Sequence, residues 1–415
     1  MTPSAVRIEA DLLVPGRGAP LTGGVVVLDG ARIAYAGPAA DAPPHDGPVT
    51  RVPTVMPGLW DTHAHFMGVR DLDLGKLLTE PHSVSVARAV RSAADVLQAG
   101  FTSVRELGGH GVFLARAIDE GTLTGPTIYA AGSILSPTGG HADFHGQSLA
   151  TVMDYSAHEG ATQLCDGVPD CLKAVRLQLR KNARVIKICA SGGVLSEVDH
   201  PIHQQFSGEE LRAIVEEAGR AERVVAAHCH GKPGIMAALE AGCRTIEHGT
   251  YLDEEAATAM REAGAILVST RAIVARMTLM VDKVPPFAAT KIRAIVDRHA
   301  ESMHVAREAG VTIAAGTDFA TVGPGTLVPL GLDGEELGHL VDVGYTPLEA
   351  IEAATASAPA TLGPQAPRSG QLVAGYDADV IAVDGDPTRD VTILADPARV
   401  THVWKAGNPV KAPAS

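Results

Sequence analysis

The stretch "TVMPGLWDTHAHF" (residues 54–66) places His63 and His65 one residue apart, directly after an apolar run that is typical of a buried strand. Residues two apart in an extended strand point to the same side. His63 and His65 can therefore direct both imidazoles to one point, as two ligands of one metal ion would. Asp61 precedes them as a third polar group that an apolar core does not easily satisfy. Two ordinary core or surface histidines would show the same spacing, so the rest of the chain decides between the two interpretations.

Between residues 57 and 363, apolar runs alternate with helical patterns that close at an Ala-Gly pair, as in "SVARAVRSAADVLQAG" (85–100). This rhythm predicts βα units. The candidate strands lie around residues 55–59, 102–105, 127–131, 184–188, 223–227, 244–246, 266–268 and 312–314. Eight parallel strands alternating with helices predict an α/β fold, a (β/α)8 TIM barrel whose active site lies at the C-terminal ends of the strands. A doubly wound open sheet is the alternative, but no G-x-G-x-x-G opens a first helix to support it.

The two ends of the chain differ from its middle. Residues 6–37 hold short β-rich runs with Asp29-Gly30 as a hairpin signal, and residues 370–407 repeat this style. The segments flank the barrel in sequence but could pair in space, so we predict that they form a small β-sandwich domain. The predicted domains are a composite β-sandwich (1–56 and 365–415) and a catalytic (β/α)8 barrel (57–364).

Composition narrows the functions that are open to the chain. A hydrophobic content of 46% against 20% charged residues is typical of a soluble globular protein. The formal net charge of −14, with no dense Lys/Arg run, argues against a nucleic-acid partner. The sequence shows neither a signal peptide nor an apolar run of about 18 residues, so we expect no membrane partner. Five scattered cysteines fit a reducing compartment, and we expect a cytoplasmic homo-oligomer.

Polar side chains recur at or just after the ends of the predicted strands, where a barrel places catalytic groups. They are His63 and His65, Lys187 in "RVIKICASGG", His228 and His230 in "VVAAHCHGKPG", His248 in "RTIEHGTYLD", and Asp318 in "TIAAGTDFA". Imidazole and carboxylate ligands suit zinc, with manganese, cobalt or nickel as alternatives. Cys229 lies one residue from His228, so it should point to the opposite side and pack, and we interpret Cys189, two residues after Lys187, as a packing residue as well. The sequence therefore predicts a divalent metal site without thiolate ligands.

Nearly the whole chain resembles the amidohydrolase superfamily. The motifs that carry the resemblance are, in order, "PGLWDTHAHF", "IKICASGGVLS", "AAHCHG", "IEHG", "GTDFA" and the C-terminal "L..G..ADVIAVDGDP". Their order and spacing are highly specific. The segments "KICASGGVLS" and "AHCHG" are most similar to a subgroup of metal-dependent dipeptidases and carboxypeptidase-like amide hydrolases. That subgroup includes prolidase-like, Xaa-Arg/Lys dipeptidase-like and ochratoxin-hydrolysing members.

The resemblance implies a site with two divalent metal ions, with zinc as the expected metal. In such enzymes the lysine of the fourth strand is carboxylated by CO2, and its carbamate bridges both metals. The chemical logic is that an ammonium has no lone pair for a cation, whereas a carbamate offers two anionic oxygens. The ligands carried over to this chain are His63, His65 and Asp318 for the first metal, His228 and His248 for the second, and carboxylated Lys187 for both.

The mechanism implied by the resemblance is attack on an amide carbonyl by a hydroxide held between the two metals. Asp318 would accept the water's proton and deliver it to the leaving amine. Asp318 and Lys187 are therefore the candidate catalytic residues.

Two histidines are candidates for substrate binding. His141, in "PTGGHADFHG" (137–146), follows the third strand, and the resemblance suggests that it holds the substrate's terminal carboxylate or carbonyl. A plain loop histidine is the alternative. His230 shares the side of His228 but stands where some relatives carry tyrosine, so we assign it to the substrate and not to the metal.

Several other polar residues have open roles. His200 and His203 could touch substrate or face solvent, and Arg105 could pair with a carboxylate inside or outside the site. Ser207 and Glu210 fit the Ser-x-x-Glu pattern of a capping box, which predicts that a helix begins there.

The combined prediction is a binuclear metal-dependent amidohydrolase. It would cleave an amide or peptide bond next to a C-terminal carboxylate-bearing residue of a small-molecule amide or dipeptide. One alternative is a cyclic-amide hydrolase of the imidazolonepropionase-like type, although those enzymes generally lack the bridging lysine. The other alternative is a non-catalytic metal-binding protein, against which the intact Asp318 argues.

Overall fold

The computed structural model describes residues 5–158, 160–323 and 325–413; the outer ends of the two end segments, 1–4 and 414–415, lie outside the described residues. The strands are β1 (Val6–Leu13), β2 (Leu21–Asp29), β3 (Arg32–Pro38), β4 (Val49–Pro57), β5 (Leu59–Val69), β6 (Phe101–Glu106), β7 (Thr127–Ala130), β8 (Ile134–Ser136), β9 (Thr162–Leu164), β10 (Ile186–Cys189), β11 (Val225–Cys229), β12 (Thr245–His248), β13 (Ile266–Val268), β14 (Thr312–Ala314), β15 (Phe319–Thr321), β16 (Val380–Val383), β17 (Val400–Lys405) and β18 (Asn408–Lys411). The α-helices are α1 (His82–Gln98), α2 (Gly111–Asp119), α3 (Leu149–Ala157), α4 (Gly167–Arg180), α5 (Gly208–Gly219), α6 (Lys232–Ala241), α7 (Glu254–Glu262), α8 (Arg271–Leu279), α9 (Pro286–Glu308), α10 (Glu335–Asp342) and α11 (Pro347–Ala353). Short 3-10 helices lie at Ala39–Asp41, Leu74–Leu78, Val281–Lys283, Ala358–Gln365, Val391–Ala395 and Pro397–Arg399.

The barrel is built from two parallel sheets that meet along two seams. One sheet has the order β15-β5-β6-β7, and the other has the order β14-β13-β12-β11-β10-β8-β9. At one seam the N–H of Thr62 donates to the carbonyl of Ala315 (2.9 Å), and at the other the N–H of Arg184 donates to the carbonyl of Ala130 (2.8 Å). β7 and β8 are therefore two pieces of the third strand, and β14 and β15 are two pieces of the eighth. The predicted (β/α)8 barrel is confirmed.

The first barrel strand corrects one sequence prediction. The predicted strand at 55–59 is divided, because β4 belongs to the sheet at the chain ends and the barrel begins with β5. The chain crosses between them at Gly58, where a Cβ atom would overlap the side chain of Thr102. Asp61, His63 and His65 thus lie inside β5 and not after its strand. Every residue of β5 is buried, since a barrel strand is covered on both faces. The polar residues that point into the barrel interrupt the apolar run by which a strand is recognised in sequence, so the predicted strand ended too early.

The N- and C-terminal segments share one seven-stranded sheet with the order β18-β17-β16-β4-β1-β2-β3. β4 pairs with β1 on one side and with β16 on the other, so the two ends of the chain meet at β4. β2 and β3 form the antiparallel hairpin predicted at Asp29-Gly30. Ile8, Val26 and Trp404 lie in a core that belongs to this sheet. A sheet domain built from both chain ends is thereby confirmed; its described strands form one sheet and not the two packed sheets of the predicted β-sandwich, and its division from the barrel at residues 56 and 365 stays a prediction.

Helix boundaries follow local signals that the sequence shows. α5 begins with the predicted capping box: the Ser207 hydroxyl accepts from the N–H of Glu210 (3.3 Å), and the Glu210 carboxylate accepts from the N–H of Ser207 (2.7 Å). α1 ends just before Gly100, which has φ +94°. Such caps fix where each helix leaves the barrel and hence how the loops over the strand ends run.

Two further features concern the predictions on membrane spans and on the cysteines. Among the described residues, each helix is either too short or too polar to cross a bilayer. The five cysteines are buried and free of disulfide bonds. Cys189 and Cys229 both lie in apolar clusters, as the packing role predicted for them requires.

Candidate active site

The predicted site residues come together at the C-terminal end of the barrel. His63 and His65 lie in β5, and Lys187 lies in β10. His228 and His248 lie at the ends of β11 and β12, and Asp318 lies between β14 and β15. The six side chains come from four strands and the turn between β14 and β15, which are far apart in sequence, and the closure of the barrel brings them to one place.

The first cluster joins His63, His65 and Asp318. His63 directs Nδ1 to Oε2 of Glu247 (2.8 Å), and His65 directs Nδ1 to the carbonyl of Gly108 (2.9 Å). Since a carbonyl and a carboxylate only accept, each neutral imidazole carries its proton on Nδ1 and keeps a lone pair on Nε2. Both Nε2 atoms face Oδ1 of Asp318, at 3.3 Å from His63 and 3.0 Å from His65. In the neutral rings, the two Nε2 lone pairs converge on a carboxylate oxygen, an arrangement that a cation satisfies.

The second cluster joins His228 and His248. Nε2 of His228 lies 3.2 Å from the carbonyl of Gly192, so this ring carries its proton on Nε2 and keeps a lone pair on Nδ1. That Nδ1 atom faces Nε2 of His248 at 3.0 Å, and Nδ1 of His248 contacts the hydroxyl of Thr270 at 2.8 Å. Burial lowers the pKa of His228 and His248 well below the usual range, so both rings are neutral. When Nδ1 of His248 donates to the Thr270 hydroxyl, its Nε2 keeps a lone pair beside that of His228 Nδ1, and the two nitrogens can hold a cation.

Two triplets of described residues have ligand atoms within 4.8 Å of one another and could hold a metal ion. They are His63, His248 and Asp318, and His228, His230 and His248. Because His248 belongs to both triplets, the two clusters are contiguous. His230, which the sequence assigned to substrate, lies near enough to the second cluster to be a ligand there.

Lys187 places Nζ 3.3 Å from Nε2 of His63. Its side chain is buried, and burial lowers the pKa of Lys187 below the ordinary lysine value, against the attraction of Glu247 and Asp318. Lowering the pKa increases the fraction of neutral amine. The neutral amine is the form that can add to CO2.

Three residues around the site adopt a left-handed backbone conformation without being glycine. Asp318 has φ +61°, His248 has φ +71° and Thr270 has φ +47°. Such conformations cost about 1–3 kcal/mol each and persist only where the surroundings enforce them. Here they turn two candidate ligands and a hydrogen-bond partner towards the same point.

Asp61 fixes the chain on either side of the first cluster. Its Oδ1 accepts from the N–H groups of His63 (2.9 Å) and Thr317 (3.1 Å), and its Oδ2 accepts from the Thr317 hydroxyl (2.5 Å). Burial raises the pKa of Asp61 to about 6, although these donors act in the opposite direction. Asp61 therefore ties β5 to the turn that carries Asp318.

Arg105, for which the sequence left open a carboxylate partner inside or outside the site, forms a buried ion pair with Glu247 below the first cluster. The Arg105 guanidinium donates to both carboxylate oxygens of Glu247 (2.8 and 2.9 Å), and both side chains are fully buried. Arg105 also donates to the carbonyl of Thr62 (2.6 Å). The second role of Glu247, as acceptor for His63, gives that ring its orientation. The sequence did not name Glu247 as the partner, although the glutamate in "IEHG" is a charged residue within a buried strand.

The two histidines assigned to substrate lie beside the second cluster. The ring of His141 stacks on His228 with centroids 4.3 Å apart, and its Nδ1 contacts the hydroxyl of Ser196 at 2.9 Å. The ring of His230 stacks on His248 with centroids 4.9 Å apart, and its Nδ1 contacts the hydroxyl of Thr250 at 2.7 Å.

The histidines with open roles lie elsewhere on the loop after β10. His200 and His203 are exposed, with ring centroids 5.2 Å apart, and the carbonyl of His203 accepts from the N–H of Gly192. The contacts observed for His200 and His203 are therefore contacts within this loop.

A cavity of about 680 Å³ opens beside the histidine clusters. His141 and Ser196 form part of its wall and connect it to His228. Much of the remaining wall is apolar and includes Met67, Leu74, Leu77, Ile134, Phe144, Leu195, Val284, Phe287 and Leu327. The cavity has room for a group much larger than the side chain of one amino acid.

A (β/α)8 barrel that gathers histidines, a lysine and an aspartate at the ends of its strands has the fold and the site of a barrel hydrolase. The chain belongs to the amidohydrolase family, whose family model matches residues 54–410.

Individual relatives narrow this assignment. Ochratoxinase of Aspergillus niger is 45% identical to this chain over 98% of it and 86% of the relative. The crystal structure of A. niger ochratoxinase has a TM-score of 0.92 at 42% identity and covers 99% of this chain and 96% of that chain. The crystal structure of a prolidase in complex with N-methylphosphonate-L-proline has a TM-score of 0.90 at 33% identity, with 99% and 100% coverage. An imidazolonepropionase of Streptomyces griseus subsp. griseus is 26% identical over 99% of this chain and 100% of the relative.

The family match and these relatives confirm the predicted superfamily and its dipeptidase-like subgroup. The protein is a hydrolase that acts on amide C–N bonds.

Proposed function

We propose that the protein is a binuclear metal-dependent amidohydrolase that cleaves an amide or peptide bond next to a C-terminal carboxylate-bearing residue. The observation that carries the proposal is the convergence of the Nε2 atoms of His63 and His65 on Oδ1 of Asp318. Their Nδ1 atoms contact Glu247 and Gly108, so the Nε2 lone pairs of the two neutral rings are directed to one point, which suits a cation. The similarity to ochratoxinase and to a prolidase supports the type of bond.

The donor sets fit two divalent cations, for which zinc is the expected metal. His63, His65 and Asp318 would hold the first, His228 and His248 the second, and Lys187 both. These nitrogen and oxygen donors match the preference of zinc. When bound, the metals would lower the pKa of a water molecule and polarise the carbonyl of the substrate.

Carboxylation of Lys187 is part of the proposal. The neutral Nζ would add to the carbon of CO2 and lose a proton, which gives a carbamate with two anionic oxygens. Burial lowers the pKa of Lys187 and so favours the neutral amine that this reaction needs. The carbamate would add negative charge beside two clusters of neutral imidazoles.

Asp318 is the proposed proton carrier. Its side chain is 23% exposed, whereas that of His63 is 1% exposed, so the carboxylate lies at the open side of the first cluster. From there it can accept a proton from the attacking water and donate it to the nitrogen of the leaving amine. Asp61 and the left-handed backbone hold its side chain in this position.

His141 and His230 are the proposed contacts of the substrate's terminal carboxylate. Both lie beside the second cluster, and the cavity begins at His141. The apolar wall favours a bulky apolar group on one side of the scissile bond, as in an N-acyl amino acid. The substrate is a small molecule, and the expected homo-oligomer and cytoplasmic location stay predictions.

A screen of metal-loaded enzyme tests the proposed function. Zinc-loaded protein is assayed with ochratoxin, with dipeptides, and with N-aroyl-L-amino acids that carry a fused-ring acyl group. Each N-aroyl compound is also supplied as its C-terminal amide. We expect two metals per chain, release of a free amino acid, loss of turnover on chelation, and a preference for the free acid over the amide. Ring opening without release of a second molecule would instead indicate a cyclic-amide hydrolase, and two bound metals without turnover would indicate a metal-binding protein.

The Lys187→Ala variant tests the bridging role in the same assay. Because the carbamate would supply oxygens to both metals, the variant should lose metal and turnover together, with partial rescue by acetate or propionate. Two metals and full turnover in the variant would contradict the binuclear assignment.

A further inference from the structure

The ammonium group of Lys291 lies under the loop formed by residues 193–199. Lys291 comes from α9, and its Nζ donates to the carbonyls of Gly193 (3.0 Å), Ser196 (2.7 Å) and Asp199 (2.5 Å). An ammonium has three donors, so these carbonyls use all of them. The side chain is 10% exposed and its charge lies 3.5 Å from Oδ1 of Asp199. Lys291 is therefore committed to the loop and has no donor left for a substrate.

The same loop reaches His141 by two routes. The hydroxyl of Ser196 contacts Nδ1 of the ring at 2.9 Å. Oδ2 of Asp199 accepts from the N–H of Gly193 (2.8 Å) and from Nε2 of Gln205 (3.1 Å). The side-chain carbonyl of Gln205 in turn accepts from the N–H of His141 (3.0 Å). Both the ring and the backbone of His141 are thus held by groups that Lys291 fixes.

The packing around the ring leaves little freedom. A Cβ atom on Gly193 would overlap the ring of His141, so the loop lies directly against the imidazole. On its other side the ring stacks on His228. A shift of the loop would therefore move the ring relative to the second histidine cluster.

We infer that Lys291 is a positioning residue for substrate recognition, which fixes the 193–199 loop and thereby sets the ring of His141. The inference rests on the proposed function, in which His141 contacts the substrate's carboxylate. One turn before Lys291, Phe287 and Ala288 of the same helix line the cavity. Lys291 thus connects the cavity wall of α9 to the loop that holds the recognition histidine.

The test compares variants on the free acid and the amide of the N-acyl amino acid that the wild type cleaves fastest. Lys291→Met removes the charge and the donors but keeps most of the stem. We expect KM for the free acid to rise about 10-fold or more, the scale of a lost hydrogen bond to a charged group, with kcat little changed. Use of the amide should change little, because it lacks the charge that His141 recognises.

Two further variants separate positioning from a general loss of structure. Ser196→Ala removes only the hydroxyl beside the ring, and we expect it to show the same selective rise in KM even if Lys291→Met folds poorly. Arg298→Met is the matched control on α9, because Arg298 is exposed and pairs with Glu301 on the same helix. It should leave both substrates and the metal content unchanged.

A double-mutant cycle with His141→Ala decides the inference. If Lys291 acts through His141, then Lys291→Met in the His141→Ala background should add little to the loss on the free acid. Additive losses, or equal losses on acid and amide in both Lys291→Met and Ser196→Ala, would overturn the inference. A wild type that cleaves acid and amide equally well would refute the proposed recognition and the inference together, whereas a selective wild type with an additive cycle would refute the inference alone.

Discussion

Asp318 offers one carboxylate oxygen to two imidazole nitrogens, and its side chain stays 23% exposed. Asp318→Asn keeps the size and one oxygen ligand but removes the base. We expect the fold to persist, the metal content to fall little, and turnover to fall by about 10²-fold or more, as for the loss of general acid–base catalysis. Steady-state kinetics together with metal analysis check this. Turnover within a few-fold of the wild type would assign the proton transfer to another group.

The buried Arg105–Glu247 ion pair leads to a prediction about the stability of the fold. Arg105→Met leaves the Glu247 carboxylate buried without its counterion, which costs about 3–5 kcal/mol for a buried pair. We therefore expect a clear drop in melting temperature. In the double variant with Glu247→Leu the loss should be smaller than the sum of the single losses, because no unpaired charge remains. Thermal unfolding followed by circular dichroism measures both, and an unchanged melting temperature in Arg105→Met would refute a stabilising role for the pair.

Single residues were predictable where a local pattern marks them. The side-to-side alternation of a strand sufficed to bring His63 and His65 together, and the strand-end rule located Lys187 and Asp318. Glu247 escaped prediction because its partner Arg105 is 142 positions away in sequence, and no local pattern records such a contact. The same holds for the link from Lys291 to the loop after β10.

Among the elements, helices with standard caps were predicted best. Ser207 and Glu210 start α5 as their spacing indicates. Ser207→Ala should lower the melting temperature by an amount equivalent to about 1 kcal/mol, because an orphan N–H loses its acceptor. Glu209→Ala in the same first turn is the control, since Glu209 lies outside the capping box. Equal melting temperatures for both variants would show that the box adds nothing to stability.

The barrel strands that are divided into two pieces were harder to predict. The third strand breaks between β7 and β8, where the N–H and the hydroxyl of Ser133 bond to Gln178 and to the carbonyl of Gly160. The eighth strand breaks before Asp318, where the chain turns left-handed. Such breaks depend on tertiary hydrogen bonds, so apolar periodicity alone reports only one piece of each strand.

At the scale of the whole molecule, burial of histidines makes stability depend on pH. Burial lowers the pKa of eight described histidines: His63, His110 (to about 4), His141, His228, His230 (to about 3), His248, His299 and His402. As the pH falls, these histidines take up protons in the unfolded chain at a higher pH than in the folded protein. Their burial therefore stabilises the fold above the unfolded pKa of about 6.5, and this stabilisation is lost as the pH falls. Burial raises the pKa of five described carboxyl groups, which act in the opposite direction: Asp61 (to about 6), Glu106 (to about 7), Asp333, Glu336 (to about 7) and Asp377.

Because the histidines outnumber these carboxyls, unfolding should take up protons between about pH 5 and pH 6.5, at about 1.4 kcal/mol per pH unit for each net proton. We expect the melting temperature to fall across this window, with or without metal, since metal ligation also needs neutral imidazoles. Scanning calorimetry at a series of pH values measures it. A melting temperature that stays level or rises on acidification would contradict the prediction.

The sheet shared by both chain ends also sets an order of events during synthesis. β4 leaves the ribosome early, yet the strand that covers its free edge, β16, begins more than 300 residues later. At about 5–20 residues per second, the unpaired edge of β4 stays open for tens of seconds while the barrel is being made. An uncovered strand edge next to apolar side chains is a template for association with other nascent chains. The yield of folded protein in a cell should therefore depend on translation speed and on chaperones that occupy this edge until the last segment arrives.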